Sequence, residues 1–333
     1  MNHGADETSS PYANPTVSKP TLSIVLVSYN AVEELAKTLA ALTGPAAPAE
    51  SHEILLADNG STDGAANVAE DVLGTEAVHR LGRNTGFGYA VNRTVERARG
   101  DYVLLLNPDA RPAPGAIDAL LDHLRVRPGD GIVGGRSVDR HGRLEPRSCF
   151  GRITPWSLTC SALGLSAIAR RNRWLAPESL GDWQRDDVRH VDVVSGGFLL
   201  TARSTWQRLH GFDETFLIYG EDQDLCLRAS QAGYRPSITP EAQVTHSVGA
   251  SSSSKVDRDV LVLTGRATIV RLHLGAWRGY GLFALRWGVV LRSVAERVLG
   301  RPGRWAAVWR RRAEWVNGWQ PGARLSTPAT EAA

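Results

Sequence analysis

Glu221-Asp222-Gln223-Asp224 puts three carboxylates into four positions, and at that density they repel one another unless a cation or a raised pKa relieves them. A carboxylate with a raised pKa in a pocket is what a general base requires. A second acid, Asp109 in Asn107-Pro108-Asp109-Ala110, ends the apolar run 102–106, and Pro108 stops the ladder beside it by removing a donor. His246 follows the acidic cluster, and beside Asp109 it would complete an oxygen and nitrogen donor set for magnesium or manganese. One carboxylate holding a divalent cation against a phosphate leaving group, while another takes a proton from an attacking hydroxyl, is metal-assisted group transfer. Each feature also has a plainer reading. Acids in a first helical turn suit the macrodipole, Asn-Pro-Asp forms turns that cap a following helix, and a lone histidine is commonly a surface or satisfied core residue.

Two glycine-containing turns could hold the other end of such a substrate. The segment 58–64, Asp-Asn-Gly-Ser-Thr-Asp-Gly, follows an apolar strand directly. Its side chains can accept from a nucleobase imide or ribose hydroxyls and its amides open the next helix toward a phosphate, although capping for stability alone uses the same residues. Asp63 stands where a calcium loop needs its glycine, which excludes that motif. In the segment 83–92, Gly86-Phe87-Gly88 lacks the third glycine of a dinucleotide fingerprint, and no GxxxxGK[ST] occurs. A tight turn with capping accounts for it, while Asn92, one turn inside the helix, favours ligand contact.

The elements that must position these residues alternate from Leu22 onward. Apolar runs at 22–28, 53–57, 77–81 and 102–107 are separated by helical patterns starting near Val32, Ala65 and Tyr89. That alternation predicts an α/β domain with a mainly parallel sheet flanked by helices, whose carboxyl edge binds ligands. A helix over 114–126, strands near 132–134, 191–201 (broken at 195–197), 235–238 and 243–245, and a short helix over 204–209 continue it. Between 136 and 190 only 156–170 reads as helical. The serines 251–254 mark a mobile loop, and the chain after Val260 reads as helix. There Phe283, Trp287, Val290, Leu291, Val294 and Val298 fall on one stripe.

The chain has 333 residues, 42% of them hydrophobic, and a net charge of +3. It can bury a large core, and no overall basic field argues for nucleic acid. The charge is uneven, because arginines and tryptophans crowd the end of the chain. That composition suits an interfacial helix on an anionic membrane surface, or a helical hairpin packed on the domain. Three widely spaced cysteines without CxxC indicate neither a disulfide framework nor a zinc knuckle, which fits a reducing compartment. Residues 1–20 read as a disordered leader and 321–333 as a disordered tail, around a 21–250 domain and a 251–320 helical region. With no apolar stretch of spanning length, the protein is expected in the cytoplasm, peripheral on the inner face of the membrane. The residues leave oligomeric state open, a homo-oligomer included.

In chain order, Val27-Ser28-Tyr29-Asn30, the 57–64 segment, the 84–92 segment, Asn107-Pro108-Asp109, Gly196-Gly197-Phe198, Gly211-Phe212-Asp213-Glu214, the 220–224 cluster and His246 resemble the inverting glycosyltransferases of family 2. These have the GT-A fold. The likeness extends to bacterial rhamnosyltransferases that lengthen lipid-linked cell-wall or O-antigen intermediates, including Ala284-Leu285-Arg286-Trp287 in the final region. The resemblance implies donor contacts from Ser28, Tyr29, Asn30, Asp58, Asn59, Asn84, Gly86, Asn92, Asn107 and Asp109. It implies Mg2+ or Mn2+ on Asp109 and His246, Asp222 as general base, Glu221 as its acidic neighbour at the acceptor, and Asp224 as a structural cap. The fuller DxD pattern is reduced here to a single Asp109. By the same resemblance the donor is dTDP-rhamnose, with UDP-sugars open, and the acceptor a glycan or lipid-linked glycan. A polyprenyl-phosphate sugar synthase, a sugar-1-phosphate nucleotidyltransferase and a non-catalytic sugar-binding module are the alternatives.

Overall fold

The computed structural model describes residues 19–246, 254–301, 303–320, 322–323 and 325. Residues 1–18 of the leader, most of the tail and residues 251–253 of the serine loop therefore lie outside the described residues. Strand β1 (Leu22–Ser28) is buried at every position, as a central strand covered on both faces must be. Its side chains divide by the period of two. Leu22, Ile24 and Leu26 join one core with α1 (Val32–Leu42), α2 (Ala65–Leu73) and α4 (Ala116–Val126). Val25 and Val27 join a second core with α3 (Phe87–Val95) and α8 (Glu221–Gln231).

Parallel strands β2 (His52–Asp58) and β4 (Tyr102–Leu106) flank β1, and β3 (Val78–Arg80) extends the sheet beyond β2. The other half departs from the parallel expectation. β10 (Phe198–Ala202) is antiparallel to both β4 and β6 (Ile132–Val138), and β11 (Ser237–His246) is parallel to β6. Short strands β5 (Ala110–Pro112) and β8 (Arg189–His190) both run antiparallel on β11, giving a mixed nine-stranded sheet. The two strands expected near 235–238 and 243–245 are one strand with a register shift between Thr239 and Gln243. The break at 195–197 separates β10 from β9 (Val193–Val194), which pairs with β7 (Cys149–Phe150) in a small ribbon.

Helical expectations hold with shifted ends. The 156–170 segment is two helices, α5 (Pro155–Ala162) and α6 (Leu165–Ile168), because Gly164 turns left-handed between them. Helix α7 (Arg203–Arg208) follows β10. The final region is α9 (Lys255–His273), α10 (Arg278–Val298), α11 (Arg304–Arg310) and α12 (Arg312–Trp315). Its third core packs on Phe216 and Leu158, so these helices join the loop that leads into α8.

Candidate active site

The carboxyl ends of β1, β2 and β4 converge on one edge. There Ser28 and Asp58 are buried side by side in register. Among the described residues the Ser28 hydroxyl has no hydrogen-bond partner, whereas Asp58 accepts from the Ser61 amide at 3.3 Å. Tyr29 and Asn30 are the more accessible residues, and Asn30 is left-handed with its Oδ1 accepting from the Thr62 amide at 2.8 Å. Asp63 accepts from the first amide of two helices, Val32 N at 2.8 Å and Ala65 N at 3.1 Å. The plain capping reading of this turn is therefore met by Asp63, leaving Asp58 at the edge.

Three residues expected along the donor are used internally. The Asn59 amide donates to Asn84 Oδ1 and to the Gly86 carbonyl, and its Oδ1 accepts from Thr85 N. Asn84 thereby anchors the turn. Asn92 Oδ1 accepts from Phe212 N, and its amide donates to the Phe212 carbonyl and Glu214. Asn59 and Asn92 are buried and hold loops together. Gly86, at φ +90°, lets Leu217 approach so closely that a Cβ would meet its carbonyl oxygen at 2.7 Å.

At the next edge, Asn107 N donates to the Gly197 carbonyl at 3.0 Å, which brings the β9–β10 turn beside Asp109. The register of β11 on β5 sets His246 opposite Ala110, and His246 Nε2 lies 3.0 Å from Asp109 Oδ1. The α4 helix begins after Gly115 without a side-chain cap, so Asp109 is not a capping turn residue. Among the described residues no group of three or more His, Cys, Asp or Glu forms a metal cage. The pair presents one oxygen and one nitrogen donor, a set suited to a cation whose remaining ligands come from a bound diphosphate and water.

Asp222 faces the same turn from α8. Its Oδ2 accepts from Gly196 N at 3.2 Å and its Oδ1 from Gln223 N at 2.8 Å. Burial raises its pKa against those two stabilising amides. Burial, then the neighbouring Asp222 charge, pushes Glu221 up as well, and the enclosed Glu221 Oε2 has no partner among the described residues. Both carboxyls are thus held above their ordinary ranges by burial, and of the two it is Asp222 that has amide donors to support a charge. Asp224 is structural, as expected, but it is not the cap: α8 starts at Gly220 with no side-chain cap. Its buried carboxylate instead joins Arg228 at 2.7 Å and His273 of α9 at 2.8 Å.

These motifs fall within recognised family models. Residues 23–157 match the model described as glycosyl transferase family 2, and residues 188–248 one described as N-terminal domain of galactosyltransferase. The chain is 33% identical over 288 residues to the N-acetylglucosaminyl-diphospho-decaprenol L-rhamnosyltransferase of Mycobacterium tuberculosis, covering 82% of this chain and 91% of that protein. The chain is a family 2 glycosyltransferase. This glycosyltransferase is also 27% identical over 238 residues to rhamnosyltransferase WbbL of Escherichia coli, covering 67% of this chain and 82% of that one. Among solved structures, the mannosyltransferase PcManGT from Pyrobaculum calidifontis, in complex with GDP-Man and Mn2+, aligns with a TM-score of 0.52. It has 18% identity, and the alignment covers 89% of this chain and 81% of that one. The TarS 1-349 fragment of S. aureus with UDP-GlcNAc gives 0.51 at 14% identity, covering 90% and 89%. These likenesses establish the GT-A fold of the glycosyltransferase.

Two residues that sequence reasoning did not single out lie electrostatically close to this site. Arg147 is paired with Glu145, and Glu145, Tyr219 and Asp109 together hold its guanidinium charged. Tyr219 is left-handed at φ +64°; burial raises its pKa, with Arg258, Glu221 and Arg147 around it. Arg147 sits in the stretch without periodicity, and Tyr219 ends the run Phe216-Leu217-Ile218-Tyr219 directly before the acidic cluster, the one local signal that could have marked it.

Proposed function

We propose that this enzyme transfers rhamnose from dTDP-rhamnose to a sugar hydroxyl of a polyprenyl-diphosphate-linked acceptor, N-acetylglucosamine being the acceptor sugar. The name and extent of the mycobacterial relative support rhamnose as the sugar and the lipid-linked acceptor, while dTDP as the carrier rests on the motif resemblance. The observation that carries the chemistry is Asp222, held by the Gly196 and Gln223 amides at the start of α8 with its pKa raised by burial. It takes the proton of the acceptor hydroxyl as that oxygen attacks the anomeric carbon. One bond forms from the acceptor oxygen, the bond to the diphosphate breaks with its electron pair leaving on the nucleotide, and configuration inverts. Protonated Glu221 keeps a second negative charge away from the base and can donate to the acceptor. Asp109 and His246 would hold Mg2+ or Mn2+, which supplies positive charge for the departing diphosphate. No helix among the described residues is long and apolar enough to cross a membrane, and we place the enzyme at the inner membrane face, where a lipid-linked acceptor lies.

The test incubates the protein with dTDP-rhamnose or UDP-sugars, Mg2+ or Mn2+, and polyprenyl-diphosphate-N-acetylglucosamine, following nucleotide release and product mass. Product with dTDP-rhamnose that disappears in Asp222→Asn is the expected result. Turnover of UDP-sugars alone would reject the donor. Asp222→Asn retaining full activity with a polyprenyl phosphate acceptor would instead indicate the synthase chemistry that needs no base.

A further inference from the structure

Helix α10 carries two apolar faces, and only one is covered. Gly281, Ala284, Leu285, Gly288 and Val289 are buried against the neighbouring helices. On the other side Tyr280, Phe283, Trp287, Leu291, Val294 and Val298 recur every three or four positions and are all exposed, Phe283 at 54% and Val298 at 79%. Twenty-one residues of helix make this stripe about 30 Å long. An exposed apolar strip of that length marks an interaction surface.

The strip continues onto a second segment. Tyr280 Oη lies 2.5 Å from Thr159 Oγ1, Arg292 donates to the Ser161 carbonyl at 2.6 Å, and a Cβ on Gly288 would meet Ala162 Cα at 3.0 Å. Helix α5 is thereby fixed alongside α10, and the exposed residues Leu163, Ile168 at 85% and Trp174 at 69% follow directly from its end. Two separate parts of the chain thus leave apolar side chains uncovered at one junction.

Charge decides the occupant. Arg278, Arg286, Arg297 and Arg301 are exposed around the α10 stripe, and Arg170, Arg171 and Arg173 lie between Ile168 and Trp174. Among the described residues none of these seven is paired with a carboxylate in an ion pair. The single acid of α10, Glu296, is engaged in accepting from Trp305 N at 2.8 Å. A second copy of the chain would bring like charge to like charge. We propose that the exposed face of α10, together with the 163–174 segment, is a docking surface for an anionic lipid bilayer, with the apolar side chains among the acyl chains and the arginines at the phosphates. This rests on the reading that the acceptor is lipid-linked and adds the surface that meets the membrane.

The test is co-sedimentation of the full chain with vesicles of phosphatidylglycerol and phosphatidylcholine, or of phosphatidylcholine alone. The intact protein is expected to partition onto the anionic vesicles and to be released as salt rises. Phe283→Ser with Trp287→Ser, and separately Ile168→Ser with Trp174→Ser, should each lower the partition about tenfold or more, since apolar burial drives it. All four side chains are exposed, so thermal midpoints should not move; if one pair of changes unfolds the protein, the other pair decides. Equal partition of variants and wild type overturns the proposal. So does failure of the wild type to bind, or a dimer in light scattering that these variants disperse without any vesicle binding. Vesicle binding without dTDP-rhamnose turnover would strike the proposed reaction and leave this surface standing. Rhamnosyl transfer with unchanged partition would do the reverse.

Discussion

Asp109 and His246 stand 137 residues apart in the chain, yet the imidazole Nε2 lies 3.0 Å from the carboxylate Oδ1. The antiparallel register of β11 on β5 brings them together. Two side chains are too few to hold a divalent ion tightly by themselves, so metal and donor should bind together. In thermal-shift titrations, Mn2+ alone should stabilise the protein little, and Mn2+ with dTDP-rhamnose considerably more. Asp109→Asn and His246→Ala should each weaken that joint binding by at least the roughly 10- to 100-fold that loss of an outer-shell partner costs. Full stabilisation by Mn2+ alone would contradict the two-ligand site.

Asp222→Asn removes the proposed base and keeps an oxygen for the Gly196 or Gln223 amide. Transfer should fall by about 10²- to 10⁴-fold, the usual worth of general base catalysis, while donor-dependent stabilisation stays unchanged. Because burial raises the Asp222 pKa, the acidic limb of the wild-type rate profile should lie above the ordinary aspartate range. A rate that is flat down to that ordinary range would argue against Asp222 as the base.

Much of this was legible in the residues because strand ends and acidic turns leave local marks. The runs before Ser28, Asp58 and Asn107 are nearly continuous apolar strands, and the α8 acids announce themselves by density. What escaped was set by distant partners. Asn92 sits in a helix like a candidate ligand, but its amide is claimed by Phe212 and Glu214, more than a hundred residues away. The antiparallel half of the sheet was invisible because β10 is a short buried run that reads alike in either direction. The stripe on α10 was visible, but periodicity cannot tell a covered face from a bare one.

Glu221→Gln separates stability from catalysis. Burial and Asp222 raise the Glu221 pKa above its ordinary 4.5, so the folded protein binds that proton more tightly than the unfolded chain. Stability from this group is complete below 4.5 and is lost as pH rises through the raised folded value. The glutamine variant cannot lose that proton. Its thermal midpoint should exceed wild type increasingly as pH climbs, and should approach it near pH 4.5 and below. A midpoint difference that does not change with pH would show that Glu221 is not held protonated.

Asp224→Ala tests the link between α8 and the final helices. Asp224 is 2% exposed, and its carboxylate holds both Arg228 and His273. Removing the buried carboxylate strands the Arg228 guanidinium and the His273 ring, and loss of such a partner costs at most about 3–5 kcal/mol. A large drop in the urea midpoint is expected, with no change in the pH dependence of the residual activity. A midpoint within error of wild type would mean that α9 does not rely on this contact.

Gly265→Ala tests whether α9 shapes the site itself. A Cβ at Gly265 would fall within contact distance of the Tyr219 carbonyl oxygen, and one at Gly220 would meet the Phe216 ring at 2.7 Å. Tyr219 and Gly220 are both at positive φ immediately before Glu221 and Asp222, a conformation that costs a non-glycine residue about 1 kcal/mol or more and is kept only when surroundings enforce it. Alanine at 265 therefore pushes the loop, and Asp222, the proposed base, moves with the start of α8. Misplacement on the order of 1 Å can cost about 100-fold in rate, so kcat should fall steeply while the donor KM changes little. Gly279 is the control: it lies in α10 with open space around its Cβ position, and Gly279→Ala should leave both parameters alone. Equal kinetics in the two variants would show that the loop before α8 does not depend on its seat against α9.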